Sequence, residues 1–236
     1  MTTAIVLAGG LGSRLKAAVP DVPKPMAPIN GRPFLEYLID YWTGQGVDRF
    51  ILSVGYKRET IQRHFAARHK GIEVDYAVED RPRGTGGGLL LALKCLRRSG
   101  VFLILNGDTF FEVDLASMRR YHRDKRAEVT IALHEAEANG RYASVEIDAD
   151  GTIVAFDGGA RTLGLALVNG GVYLAESGAF SGVPPEPAAP VSLEDQLYPR
   201  MLAAGSRMYG FRSSGRFIDI GVPEDYRRAA AMLSAT

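Results

Sequence analysis

The run Leu7-Ala8-Gly9-Gly10-Leu11-Gly12-Ser13-Arg14-Leu15, with Pro23-Lys24-Pro25 shortly after it, carries most of the information in this chain. Ahead of it, Thr2 to Leu7 is a short apolar segment containing Ile5 and Val6, and it stops abruptly at glycine. A buried strand that runs straight into a glycine turn presents backbone N–H groups at the carboxyl end of a sheet. That is where α/β folds bind ligands. Gly9, Gly10 and Gly12 leave no Cβ in the way, so the backbone can close around a polyphosphate. Arg14 adds a planar fork of donors and Lys24 a compact charge at the same edge. The stretch predicts a nucleoside triphosphate site.

Working outward, the prolines between Pro20 and Pro28 exclude a helix and make a loop that delivers Lys24. Pro33 opens a helix with Phe34, Leu35, Leu38, Ile39 and Trp42 inward. Phe50–Val54 reads as a strand, Glu59–Arg68 as a helix and Ile72–Val78 as a third strand. This alternation implies a parallel sheet. A second glycine cluster, Gly84-Thr85-Gly86-Gly87-Gly88, precedes an apolar helix over Leu89–Leu96 and predicts free N–H donors at its start. Val101–Leu105 is the most apolar strand, expected at the sheet centre, and ends in Asn106-Gly107-Asp108. Asp114 caps a helix running to about Arg126. Beyond Glu128 the texture turns to strands over 129–133, 144–147, 153–156 and 169–174, with a hairpin turn at Asp150-Gly151. This part reads as an antiparallel lid. Ser192 and Asp195 resemble a helix cap, strands follow near 208–211 and 217–220, and Pro223 opens a last helix.

The chain has 236 residues, enough for a substantial core, and 28 basic against 27 acidic side chains. That balance argues against nucleic-acid and membrane binding. A single cysteine, Cys95, excludes an internal disulfide and fits a reducing, cytoplasmic setting. The N-terminal apolar run is too short for a signal peptide or a membrane span. His64, His69, His122 and His134 lack metal-ligand spacing and read as surface residues, and Cys95 as a small buried hydrophobe.

Five ordered motifs resemble those of the sugar-1-phosphate nucleotidyltransferases: Leu7 to Leu15, Pro23-Lys24-Pro25, Gly84-Thr85-Gly86-Gly87, Asn106-Gly107-Asp108 and Phe217-Ile218-Asp219-Ile220-Gly221. Arg58-Glu59, Arg141-Tyr142, Asn169-Gly170-Gly171, Ser192-Leu193-Glu194 and Ile218 to Tyr226 look most like the guanylyltransferases that activate D-glycero-α-D-manno-heptose 1-phosphate. The resemblance implies an α/β fold with a Rossmann-like wound mixed sheet of the glycosyltransferase-A kind. It implies one domain over 1–236, with a nucleotide-binding part (1–126) and a small antiparallel sugar-binding part (127–236). It also implies transfer of a nucleotidyl group from an NTP, GTP favoured, to a sugar 1-phosphate in surface polysaccharide synthesis, with Mg²⁺ as cofactor. A homodimer is the assembly to test for.

By the same resemblance Arg14, Lys24 and Asp108 are catalytic, and Asp108 and Asp219 hold the metal. Leu7, Ala8, Gly9, Gly10, Gly12, Ser13, Arg14, Glu79, Gly84, Thr85, Gly86, Asn106 and Gly107 surround the nucleotide. Tyr142, Ala143, Asp157, Asn169, Gly170 and Glu194 face the sugar. Relatives often carry Glu-Lys-Pro where this chain has Asp157-Gly158-Gly159, so Asp157 stands in for the glutamate and Arg161 is the candidate for the missing lysine. Ala143 replaces a glycine common in relatives. The residues leave the base and the sugar open among GTP, UTP, dTTP and CTP and among heptose, mannose, glucose and N-acetylmuramate 1-phosphates. A dinucleotide oxidoreductase is disfavoured because G-x-G-x-x-G fails, and a P-loop enzyme because Gly-Lys-Ser/Thr is absent. A catalytically silent relative is disfavoured because Arg14, Lys24, Asp108 and Asp219 are all retained.

Overall fold

A computed structural model describes residues 2–10, 12, 15, 19–137, 144–157, 164–184 and 187–234, with Asp157 described in its backbone only. The chain begins with β1 (Thr3–Ala8), a short hairpin of β2 (Pro28–Ile29) and β3 (Arg32–Pro33), and α1 (Phe34–Gly44). Then come β4 (Arg49–Val54), α2 (Arg58–Phe65), β5 (Arg68–His69), β6 (Ile72–Val78) and α3 (Gly84–Leu93). The middle of the chain supplies β7 (Val101–Asn106), β8 (Thr109–Phe111) and α4 (Leu115–Asp124). The last part holds β9 (Val129–Glu137), β10 (Ser144–Ile147), β11 (Ile153–Asp157), β12 (Leu165–Glu176), α5 (Tyr198–Ala203), β13 (Met208–Arg212), β14 (Phe217–Asp219) and α6 (Pro223–Leu233).

The main sheet runs β11-β10-β12-β7-β1-β4-β6-β5, and β9 joins through β12 and carries β13. β7, β1, β4 and β6 are parallel neighbours, whereas β12 pairs antiparallel with β7. β7 is central, as its uninterrupted apolar run predicts. The strands expected to form a lid extend this same sheet instead, because the long β12 bonds both the parallel half and β9.

Side chains alternate between the two faces of the sheet, as strand geometry requires. Ala4, Val6, Phe50, Leu52, Leu103 and Leu105 pack on one face with α1 and α2; Ile5, Ile51, Phe102 and Ile104 pack on the other with α3 and α5. Both faces of the parallel strands are therefore dry, which explains why they read as continuous hydrophobic runs. A third cluster seats α6 against Ile29, Phe34, Tyr37, Phe110 and Ile218. No helix among the described residues is long and apolar enough to cross a membrane.

Three helix readings shift. α2 ends at Phe65 because Ala66 turns to positive φ, and Arg68 and His69 pair with β6 instead of extending the helix. α3 starts at Gly84, so the glycines predicted to precede it form its first turns. The Ser192 cap exists, its hydroxyl accepting from Asp195 N–H at 3.0 Å, but the turn it opens, Leu193–Leu197, is π-wound before α5 begins. His122 is buried rather than on the surface, its Nδ1 2.8 Å from Thr130 Oγ1. Its partner lies on β9 and could not be foreseen. Cys95 is only partly buried.

The start of α3 is locked to a crossing strap. Val191 N–H donates to the Arg83 carbonyl and the Val191 carbonyl accepts from Gly86 N–H, each at 2.8 Å. Gly84 sits at φ +73°, and a Cβ there would overlap the Val191 backbone. Gly84→Ala therefore combines left-handed strain with overpacking, about 2–4 kcal/mol in all. Thermal unfolding should show a Tm drop of about 5–15 °C; an unchanged Tm would mean the strap does not hold this turn.

Candidate active site

The parallel pairing of β1 and β7 sets the ends of two central strands side by side, and Gly107 N–H donates to the Leu7 carbonyl at 3.0 Å. Asp108 thus emerges next to the Gly9–Gly12 loop. Asp219 reaches the same point from far along the chain because β14 pairs antiparallel with β8, with Asp219 opposite Thr109. Ile220 N–H closes the junction on the Asp108 carbonyl at 3.0 Å.

Lys24 lies in a single 3-10 turn, Lys24–Met26, whose proline-rich approach keeps the loop extended. Its stem passes close over Gly12, at φ +59°, where a Cβ would come within 2.9 Å of Lys24 Cβ. Its ammonium donates to Asp108 Oδ2 at 2.5 Å and to Asp219 Oδ1 at 3.3 Å. The Lys24 side chain is 9 % exposed, so its charge is compensated locally rather than by water. Burial, then the neighbouring Asp108 charge, push the Asp219 carboxyl up; Lys24 and the Gly221 N–H, 2.6 Å from Oδ1, pull it down. Two carboxylates converging on one ammonium are a hard-oxygen donor set able to accept a divalent ion.

A cleft of about 490 Å³ opens beside this group. Leu7, Ala8, Gly9, Gly10, Gly12, Lys24, Glu79, Gly84, Thr85, Asn106 and Asp108 all line it. Glu79 forms a polar wall there, 8 % exposed, with Oε1 accepting from Ser53 Oγ at 3.1 Å and Oε2 from Arg83 N–H at 3.2 Å. Burial pushes its carboxyl above the usual range, against the pull of those donors. A Cβ at Gly9 would overlap this carboxylate, which would have to shift to admit it.

Asn106 connects the cleft to a second polar group. Glu194 accepts from Thr85 Oγ1 at 2.7 Å, Tyr173 OH at 3.2 Å, and Asn106 Nδ2 and Ser192 Oγ at 3.4 Å. Asn106 Oδ1 is shielded from solvent and has no hydrogen-bond partner among the described residues. Asn169 Oδ1 accepts from Gly171 N–H at 2.9 Å, and Gly170 packs on the Phe111 ring. Neither Glu194, Asn169 nor Gly170 lines the cleft itself. Ser13, Arg14, Tyr142, Ala143, Arg161 and the Asp157 side chain lie outside the described residues.

Some lining residues escaped the sequence reading. Arg83, Pro82, Pro190 and Gly221 also line the cleft. Arg83 adjoins Gly84 and its guanidinium pairs with Asp80 at 2.8 Å, so a cation directly before the second glycine cluster was the available signal. Pro190 arrives on the Val191 strap, which no local pattern announces.

The family model described as nucleotidyl transferase matches residues 3–236. The chain is 41 % identical over 227 residues to the D-glycero-α-D-manno-heptose 1-phosphate guanylyltransferase of Aneurinibacillus thermoaerophilus, covering 96 % of each chain. It is 38 % identical to the enzyme of the same name from Campylobacter jejuni, covering 94 % of this chain and 96 % of that one. Among solved structures, HddC from Yersinia pseudotuberculosis complexed with GMP-PN superposes with a TM-score of 0.85 at 34 % identity, over 98 % of this chain and 99 % of that one. With that model matching residues 3–236 and these relatives aligned along nearly the whole chain, the chain belongs to the nucleotidyl transferase family.

Proposed function

We propose that this chain transfers GMP from GTP to D-glycero-α-D-manno-heptose 1-phosphate. A phosphate oxygen of the sugar attacks the α-phosphorus of GTP, the bond to the β-phosphate oxygen breaks, and pyrophosphate leaves as the nucleotide sugar forms. Such chemistry asks the protein mainly for placement and charge neutralisation. The observation that carries the reading is the Lys24 ammonium between Asp108 and Asp219 at the end of the cleft. On this reading Lys24 leaves the carboxylates to bridge the α-phosphate and the incoming sugar phosphate. Asp108 and Asp219 hold Mg²⁺, which when bound neutralises phosphate charge. The Gly9–Gly12 backbone and Arg14 take the triphosphate, and the start of α3 closes over the nucleotide.

The guanine preference rests on Glu79 as well as on the relatives. A carboxylate accepts at both oxygens, and guanine presents two adjacent donors, N1–H and the 2-amino group. Uracil and thymine offer a donor beside an acceptor, which a carboxylate cannot match. The heptose end is assigned to Asn169, Gly170 and Glu194 beyond Asn106, together with Tyr142, Ala143 and Asp157. The product is an activated donor for a glycosyl transfer, which fits a cytoplasmic supply step for a surface polysaccharide.

Pyrophosphate release, measured with Mg²⁺ over a matrix of triphosphates and sugar 1-phosphates, should be fastest with GTP and the heptose phosphate. No turnover with any pair, despite nucleotide binding, would favour a catalytically silent relative. Asp108→Asn should lower turnover about 100-fold or more with the fold intact, and excess Mg²⁺ should rescue it poorly. Near-normal turnover in that variant would locate the metal elsewhere.

Glu79→Gln should cut the preference for GTP over UTP about 10–100-fold, the loss of charge-assisted hydrogen bonds. Because Glu79 must be ionised to accept both donors and its carboxyl is raised, GTP affinity should fall on acidification. The fall should begin above the usual glutamate value of about 4.3. Glu79→Gln should remove that dependence; a profile unchanged by the substitution would detach Glu79 from the base.

A further inference from the structure

Outside the cleft, the fold assembles a group that the sequence hides. Glu36 lies near the start of α1, His64 near the end of α2 and His69 on β5. One ligand atom from each of the three falls within 4.8 Å of the others. His64 Nε2 is 3.1 Å from Glu36 Oε2, and His69 Nε2 is 3.9 Å from Glu36 Oε1. Ligand atoms of a tetrahedral zinc ion stand about 3.3–3.5 Å apart, given bonds of about 2.0–2.1 Å. The two separations, one to each oxygen of Glu36, fall on either side of that value.

We propose that Glu36, His64 and His69 form a second metal site, distinct from the aspartate pair, for a divalent transition-metal ion of the Zn²⁺ class. Two imidazole nitrogens with one carboxylate suit zinc rather than magnesium, which takes oxygen ligands. His69 Nε2 is shielded from solvent and has no hydrogen-bond partner among the described residues, so its lone pair or proton is unmatched as the group stands. The rings are held in place from behind: Phe65 packs edge-on against His64 and against His69, with centroids 4.7 and 4.8 Å away.

The site has a resident competitor. Lys70 Nζ lies 2.8 Å from Glu36 Oε1, and Arg32 is 3.2 Å from the same oxygen. Lys70 also reaches Asp40, one helical turn further along α1, at 2.8 Å, and its side chain is half exposed. It can therefore yield Glu36 to an ion and keep Asp40 as its counter-charge. Two carboxylates already balance Arg32 and Lys70, so the ion adds net positive charge and binds less tightly than at a site of thiolates. Metal binding would cross-link α1, α2 and the β5–β6 hairpin, three elements otherwise joined here by side-chain contacts.

The test uses the full chain, stripped with a chelator and dialysed against Zn²⁺ in excess Mg²⁺, which occupies all-oxygen sites. One equivalent of Zn²⁺ should bind, and His64→Ala should weaken it about 100-fold or more. Zn²⁺ should raise the Tm of the wild-type chain and leave that of His64→Ala unmoved. Cu²⁺ in place of Zn²⁺ should show electron-spin coupling to two imidazole nitrogens, and to one in His64→Ala. His64 is partly exposed, so this variant should fold, and its metal-free Tm verifies that it does. Absence of Zn²⁺ binding, or binding of equal strength in His64→Ala, would overturn the proposal.

Discussion

One ammonium between two carboxylates organises this protein. Lys24, Asp108 and Asp219 come from a proline-rich loop, the end of a central strand and a late strand, and they meet only because β14 pairs with β8. The arrangement is costly to disturb, since taking away the nearly buried lysine leaves two acidic groups facing each other. It is also poised for exchange. A triphosphate brings charge that the lysine can bind instead, and a divalent ion brings charge that the carboxylates can bind instead. The contacts that hold Lys24, Asp108 and Asp219 together are those that substrates would divide between them.

The rest of the cleft follows from what the sheet allows at its edge. Glycine at position 9 admits the Glu79 carboxylate, and that carboxylate is held in a dry wall by Ser53 and the Arg83 N–H. Glu194 plays a bracing part on the other side, gathering donors from α3, β7, β12 and the π-wound turn. The cleft is thus built from backbone and short side chains on rigid elements, while the Glu194 group lies behind Asn106. That asymmetry matches a family whose members share a reaction on triphosphates but differ in the sugar they accept.

Much of this was legible in the residues. The strand Thr3–Ala8 ending in glycines, the apolar β7 ending in Asp108 and the cap at Asp114 all announce themselves through local patterns that physics leaves little choice about. Readings failed where a partner distant in sequence decides the outcome. Gly84 to Gly88 look like a turn, but they form the first turns of α3, with the Val191 backbone crossing close over Gly84 and Gly86. His122 looks like a surface residue on a charged helix, yet α4 turns it inward to Thr130. His64 and His69 stand five positions apart, a spacing that tells nothing by itself on a charged stretch; a positive-φ residue at Ala66 ends α2 and folds His69 back beside His64, and α1 then adds Glu36. The lid expected beyond residue 128 fails for the same reason, because nothing in Leu165–Glu176 shows that it bonds to β7.

The claim that Lys24 serves the transfer step rather than nucleotide capture is the centre of this account, and Lys24→Met separates the two. Single-turnover kinetics with the heptose phosphate, alongside GTP binding measured without it, give the rate of chemistry and the Kd independently. The account predicts a fall of about 100-fold or more in the single-turnover rate, with GTP Kd changed by no more than a few-fold. A variant whose Kd for GTP rises while its single-turnover rate holds would contradict it, and would assign Lys24 to the triphosphate alone.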